Sequence, residues 1–223
     1  MRTAIIIQAR TGSSRLPAKV LKKIGSKTML EYLLDRTADS GFMNILAVPS
    51  RELKHFRFLK SKYQQLQIYG GSEENVLDRY YKAAAKYNIK IIIRVTADNP
   101  FTCVAAIKSL QAKHILQKAD ISYYRKLPYG SGSEIISWSA LKKAWKRAAS
   151  APEREHITQY FYKNKSCFKI YTPLAEPLLR APQLRLTVDT NVDFKQFKKI
   201  VKNIPAQGNY IRLQDIIAYF KAD

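Results

Sequence analysis

Three cations, Arg10, Arg15 and Lys19, fall within ten residues of one another in a segment otherwise made of small side chains, QARTGSSRLPAK (8–19). Ala9, Thr11, Gly12, Ser13 and Ser14 add little bulk, so their backbone N–H groups can approach a ligand and curl around an anion. Grouping three like charges is costly unless they face negative charge, and a triphosphate is the natural candidate. The spacing matches neither the GxxxxGK[ST] phosphate loop nor the GxGxxG dinucleotide turn. Taken alone, the segment also reads as an ordinary β–α turn with solvated cations. Two isolated acids, Asp98 in RVTADNP and Asp189 in LTVDT, each follow an apolar run. Phosphate oxygens, a hard divalent ion and one or two carboxylates make the usual Mg²⁺ site. Singly, Asp98 reads as an Asx turn before Pro100 and Asp189 as a cap for a helix starting near Val192. With the basic loop, the metal reading gains.

The elements that must position these residues alternate along the chain. Ala4–Ile7 is a continuous apolar run, as suits a strand buried on both faces of a parallel sheet, and a helical pattern follows its loop. Residues 28–38 read as a helix, with Met29, Tyr32, Leu33 and Arg36 on one face. Strands follow at 44–50 and 67–72. Ser72 is expected to cap the helix EENVLDRYYKAAAKY, whose Glu73 and Glu74 suit its positive end. A fourth strand runs over 90–100, then a helix to about Leu116 and strand-like DISYY. A turn and strand (128–137), the 140s helix, a helix over 152–164, strands at CFKIYTP and 184–190, and two closing helices complete the pattern. Such alternation argues for a mostly parallel sheet with helices on both faces, and functional loops at its carboxyl edge.

Composition bounds the class. With 223 residues and 46% hydrophobic content, the chain can bury one α/β core, so a single domain over 1–223 is the expectation. No apolar run approaches the ~20 residues of a membrane span, and the first strand leaves no room for a signal peptide. Cys103 and Cys167 form no metal-type pair, consistent with a reduced cytoplasmic protein. The balance of 39 basic to 17 acidic residues gives a formal net charge of +22. In LKKAWKRAA (141–149), in FKQFKKIVKNI (194–204) and at Arg51, Lys54, Arg57 and Lys60, the cations lie opposite an apolar stripe. They read as solvated faces of core helices, and no nucleic-acid recognition motif accompanies them.

The segments IIQARTGSSRLPAKVL, GGSEENVLDRYYKAA, IIIRVTADNP, REHIT and LRLTVDTNVDF, spread over about residues 4–197, carry a resemblance. Together the chain resembles the cytidylyltransferase family of the CMP-Kdo and CMP-acylneuraminate synthetases, and most closely the branch named after spore-coat polysaccharide synthesis. The resemblance implies a Rossmann-like, three-layer nucleotide-diphospho-sugar transferase fold, CTP as donor, Mg²⁺ as cofactor and a homodimer. It also implies attack of an acidic sugar's hydroxyl on the α-phosphate, with pyrophosphate leaving, in surface polysaccharide or glycoconjugate synthesis. By position, Ala9, Arg10, Thr11, Gly12, Ser13, Ser14, Arg15 and Lys19 fall in the nucleotide loop. Lys19, Arg15 and Asp98 take catalytic roles, and Asp98 and Asp189 the metal roles. Arg94, Glu134, Arg154 and His156 are candidates for the acceptor. Ala97 stands where the family has Gly, and Gly132 where the branch often has Asp. A nucleotide-sugar-dependent glycosyltransferase and a basic, non-enzymatic anion-binding protein are the rival classes.

Overall fold

The computed structural model describes residues 1–13 and 15–222, so Ser14 lies outside the described residues. Strand β1 (Thr3–Gln8) is an inner strand of a seven-stranded sheet, third from one edge. β2 (Lys23–Ile24) and β3 (Lys27–Thr28) form a separate small hairpin. The main sheet continues with β4 (Met43–Pro49), β5 (Gln67–Gly71), β6 (Ile91–Thr96), β7 (Ile121–Ser122), β8 (Glu134–Ser137) and β9 (Ile170–Tyr171), in the order β5-β4-β1-β6-β8-β7-β9. β1 pairs in parallel with both β4 and β6, so Ile7 lies between Leu46 and Val95. β8 runs antiparallel to β6 and β7; the other pairings in this sheet are parallel.

Alternation along β1 divides the core in two. Ile5 and Ile7 pack with residues of helices Met29–Ala38, Val104–Leu116, Asn191–Asn203 and Leu213–Ala222. Ala4 and Ile6 pack with those of helices Val76–Lys86, Trp138–Arg147 and Gln159–Lys163. All four residues are fully buried, which is why this strand is apolar at successive positions rather than alternating. Each isoleucine so buried contributes about 1.5–3 kcal/mol. The result is the expected three-layer arrangement.

Connectivity decides where a ligand can enter. From β1 the chain moves outward through β4 to β5, then returns to lay β6 on β1's other side. The loops leaving β1 and β6 therefore diverge, and a crevice opens at their carboxyl ends. The antiparallel β8 brings its first residue, Glu134, to the same edge, opposite Arg94.

Several sequence expectations are corrected. Residues 184–190 form no named strand: Leu186 and Val188 are buried, but their amides bond to the Tyr129 and Asp98 carbonyls of loops, not to a sheet strand. The helix over 152–164 breaks into Ala151–Glu155 and Gln159–Lys163, with His156 extended and the β-branched Ile157 buried between them. Helix Val76–Lys86 is capped by Asn75, whose side chain accepts from the Asp78 amide, while Ser72 supports the Asn75 amide. After the basic loop comes one 3₁₀ turn, Lys19–Leu21, and then the small hairpin, rather than a helix.

Candidate active site

The loop leaving β1 is pinned from below. Glu52, buried after β4, accepts the Thr11 N–H at 2.7 Å. The Thr11 carbonyl in turn accepts the Ser13 and Ala18 amides at 2.9 and 3.0 Å. Two amides expected to curl around an anion, those of Thr11 and Ser13, are thus engaged within the protein, and Thr11 does not line the cleft. Ala9, Arg10, Gly12, Ser13, Arg15 and Lys19 do. Ala18 takes a left-handed φ of 51°, uncommon for a residue with a Cβ, at the entry to the turn that begins with Lys19.

Lys19 joins the three chain segments. Its Nζ donates to Asp189 Oδ1 and the Val188 carbonyl, each at 2.8 Å, and to Asp98 Oδ2 at 3.2 Å. Three protons meet three acceptors, one a backbone carbonyl and two carboxylates far apart in the chain. Neither acid takes the alternative role open to it from sequence alone. Thr190, in a capping box with Asp193, caps the following helix, and the Asp98 carboxylate turns to Lys19. Burial raises the Asp189 carboxyl, but the hydrogen bond and charge of Lys19, with Arg185 and Arg15, overcome this and hold it below the usual carboxylate range. Asp193 goes further. Against burial, Arg185 and the Asp189 and Thr190 amides bring it down to about 2.

The cleft above this cluster has a volume of about 720 Å³. Its donor set tests the metal expectation: two carboxylates facing one cation offer hard oxygen ligands suited to a hard divalent ion. Among the described residues no group of three or more His, Cys, Asp or Glu side chains gathers to hold a metal. A hard divalent ion held by these two carboxylates would complete its shell with water or with ligand oxygens such as those of a phosphate chain.

On the cleft's other side, Arg94 donates to Glu134 at 2.8 Å. Burial alone would lower Arg94, but the charge and hydrogen bond of Glu134 outweigh it and raise its pKa. His156 is exposed and lines the cleft. Arg154 does not line it; its Nε lies 3.5 Å from the Ala148 carbonyl. Neighbouring Glu155 lines the cleft and reaches Arg10 at 3.6 Å.

A model of the cytidylyltransferase family matches residues 4–217 of the chain. The chain belongs to the cytidylyltransferase family. It is 36% identical over 91% of its length to an uncharacterized protein of Methanocaldococcus jannaschii, covering 84% of that protein. It is 32% identical over 87% of its length to the spore coat polysaccharide biosynthesis protein SpsF of Bacillus subtilis, again covering 84% of the relative. The structure of a cytidylyltransferase from Leptospira borgpetersenii superposes on the whole chain, and on 94% of its own, with a TM-score of 0.90 at 27% identity.

In this cytidylyltransferase-family member the sequence reading missed two cleft groups and one support. Arg79 lines the cleft almost wholly buried; its Nη1 donates to the Ser72 carbonyl at 2.6 Å and its Nε has no hydrogen-bond partner among the described residues. Burial lowers its pKa. The signal was present: a cation stands on the apolar stripe Val76, Leu77, Tyr80, Ala83 of its helix. Glu155, which lies between the candidates Arg154 and His156, faces the cleft although no role was assigned to it. Glu52 carried no signal, because the contact that gives it a role spans 41 residues.

Proposed function

We propose that this protein is a CTP:sugar cytidylyltransferase, joining CTP to an acidic sugar with release of pyrophosphate. The convergence of Lys19, Asp98 and Asp189 at the sheet's topological switch point carries the reading. The sugar class is supported by relatives named 3-deoxy-manno-octulosonate cytidylyltransferase, such as that of Solibacter usitatus, 28% identical over 91% of this chain.

Phosphoryl transfer depends on positioning and charge neutralisation more than on covalent help. Arg10 and Arg15, exposed at the cleft mouth, are free to turn from their long carboxylate contacts of 3.6 and 3.7 Å onto phosphate oxygens. Lys19 offsets charge developing on the α-phosphate and departing pyrophosphate. Asp98 and Asp189 would hold Mg²⁺, which polarises phosphoryl oxygens when bound. The acceptor lies against Arg94, Glu134 and His156, with Glu134 placed to accept from hydroxyl groups. Arg154, outside the cleft, takes no direct part in this arrangement. The protein works in the cytoplasm as a homodimer in this reading; among the described residues no helix is long and apolar enough to cross a membrane.

Incubation with CTP, Mg²⁺ and a panel of acidic sugars, followed by pyrophosphate release, tests the activity. Lys19→Ala and Asp98→Asn are each expected to lower the rate by about 10²–10³. Undiminished release in both variants overturns the assignment.

A further inference from the structure

A second cavity, of about 310 Å³, borders the continuations of the same three segments. Its walls include Ile24 and Lys27 of the hairpin that follows Lys19, Phe101 three residues beyond Asp98, and Ile204, at the end of the helix that starts after Asp189. Into it faces Arg36, which is 2% exposed. No carboxylate pairs with Arg36 among the described residues. Its Nη2 donates to the Ile211 carbonyl. Phe101 and Tyr210 lie with ring centroids 5.3 and 5.1 Å from its guanidinium carbon. A guanidinium carries five N–H donors, so a backbone carbonyl and two ring faces leave most of its edge unsatisfied. Burial pulls its pKa down to about 10.

We propose that this cavity is an accessory binding site for a small organic monocarboxylate, seated on the edge of Arg36 with its apolar body among the rings and aliphatic walls. One buried positive charge calls for one negative charge. Rings beside the guanidinium direct a partner to its edge, where the planar carboxylate makes paired hydrogen bonds. Phosphate is a poorer match, because a dianion needs a second cation and the nearby Lys27 Nζ already bonds to Asp35 at 2.6 Å. The mostly apolar walls favour a ligand with a hydrocarbon body.

Benzoate is a suitable probe, with benzamide as its uncharged counterpart and inorganic phosphate as the ionic control, on the full chain at neutral pH and constant ionic strength. Thermal shift and calorimetry are expected to show saturable benzoate binding with no comparable response to benzamide or phosphate. Arg36→Gln should weaken benzoate binding at least tenfold. Ala206→Phe, on the exposed rim, should do the same by filling the cavity, and it carries the test if Arg36→Gln fails to fold. Lys19→Ala should leave benzoate binding unchanged, which separates this site from the cleft. The proposal is overturned by absence of saturable binding, by an equal response to benzamide or phosphate, by unchanged affinity in Ala206→Phe, or by loss of binding in Lys19→Ala.

Discussion

At the scale of single residues, the cleft is built from charges that neutralise one another. Lys19 holds Asp98 and Asp189 together, Arg185 clamps Asp189 at 2.7 Å, and Asp193 clamps Arg185 at 3.0 Å. Asp193 is the outermost support, and its low pKa gives its contribution a definite pH dependence. A carboxyl depressed in the folded state stabilises the fold fully above its unfolded value of about 4, and that contribution drains away as pH falls towards about 2. Asp193→Asn should therefore lower stability by about 0.5–2 kcal/mol near neutrality, as loss of a helix-capping partner does. The deficit should shrink as pH drops from 5 to 2. Urea titrations of both proteins across that range provide the check, and a pH-independent difference would contradict the argument.

At the scale of elements, the site depends on how two irregular segments are held. Residues 184–188 run along loop 127–131, with the Tyr129 amide bonded to the Leu184 carbonyl and the Leu186 amide to the Tyr129 carbonyl. Gly130 makes this approach possible: its φ is +91°, and a Cβ there would meet the Thr187 backbone nitrogen at 2.4 Å. Gly130→Ala must push Thr187 away, and Asp189 two residues on moves with it. Circular dichroism should stay near native while pyrophosphate release falls at least tenfold; retention of full activity would show that the loops yield elsewhere. Glu52 plays the matching part for the basic loop. Glu52→Ala leaves the Thr11 N–H unpaired, a cost of about 1–3 kcal/mol. The expected signature is a raised KM for CTP together with a lower Tm.

Across the whole molecule, the +22 charge is spread over solvated faces: Lys142, Lys146, Lys195, Lys198 and Lys202 are all exposed opposite buried apolar partners. Like charges at this density repel one another and destabilise the compact state. Raising NaCl from low concentration to about 0.3 M, where screening reaches only several ångströms, should raise Tm. The same salt should weaken CTP binding, because the Arg10 and Arg15 contacts sit at an exposed mouth. Opposite signs for the two effects distinguish surface repulsion from ligand attraction; a Tm that falls with salt would refute the surface argument.

The amino-acid order alone determined what depends on local pattern. The β-branched run of β1, the stripes of the helices and the small-residue loop with its cations each follow from periodicity and side-chain size, so the α/β layering was legible before any coordinates. The motifs were legible as a resemblance for the same reason, since each lies within one short segment. Tertiary structure decided everything that rests on distant pairing. It brought Asp98 and Asp189 onto Lys19, spent the Thr11 amide on Glu52, and drew Arg79 into the cleft while leaving Arg154 outside it. It also turned the apolar residues of 184–190 into a loop-bound segment, because burial without a neighbouring strand gives alternation but no ladder. Spacing along a chain fixes which face a side chain takes; only closure of the sheet fixes which charges meet across it.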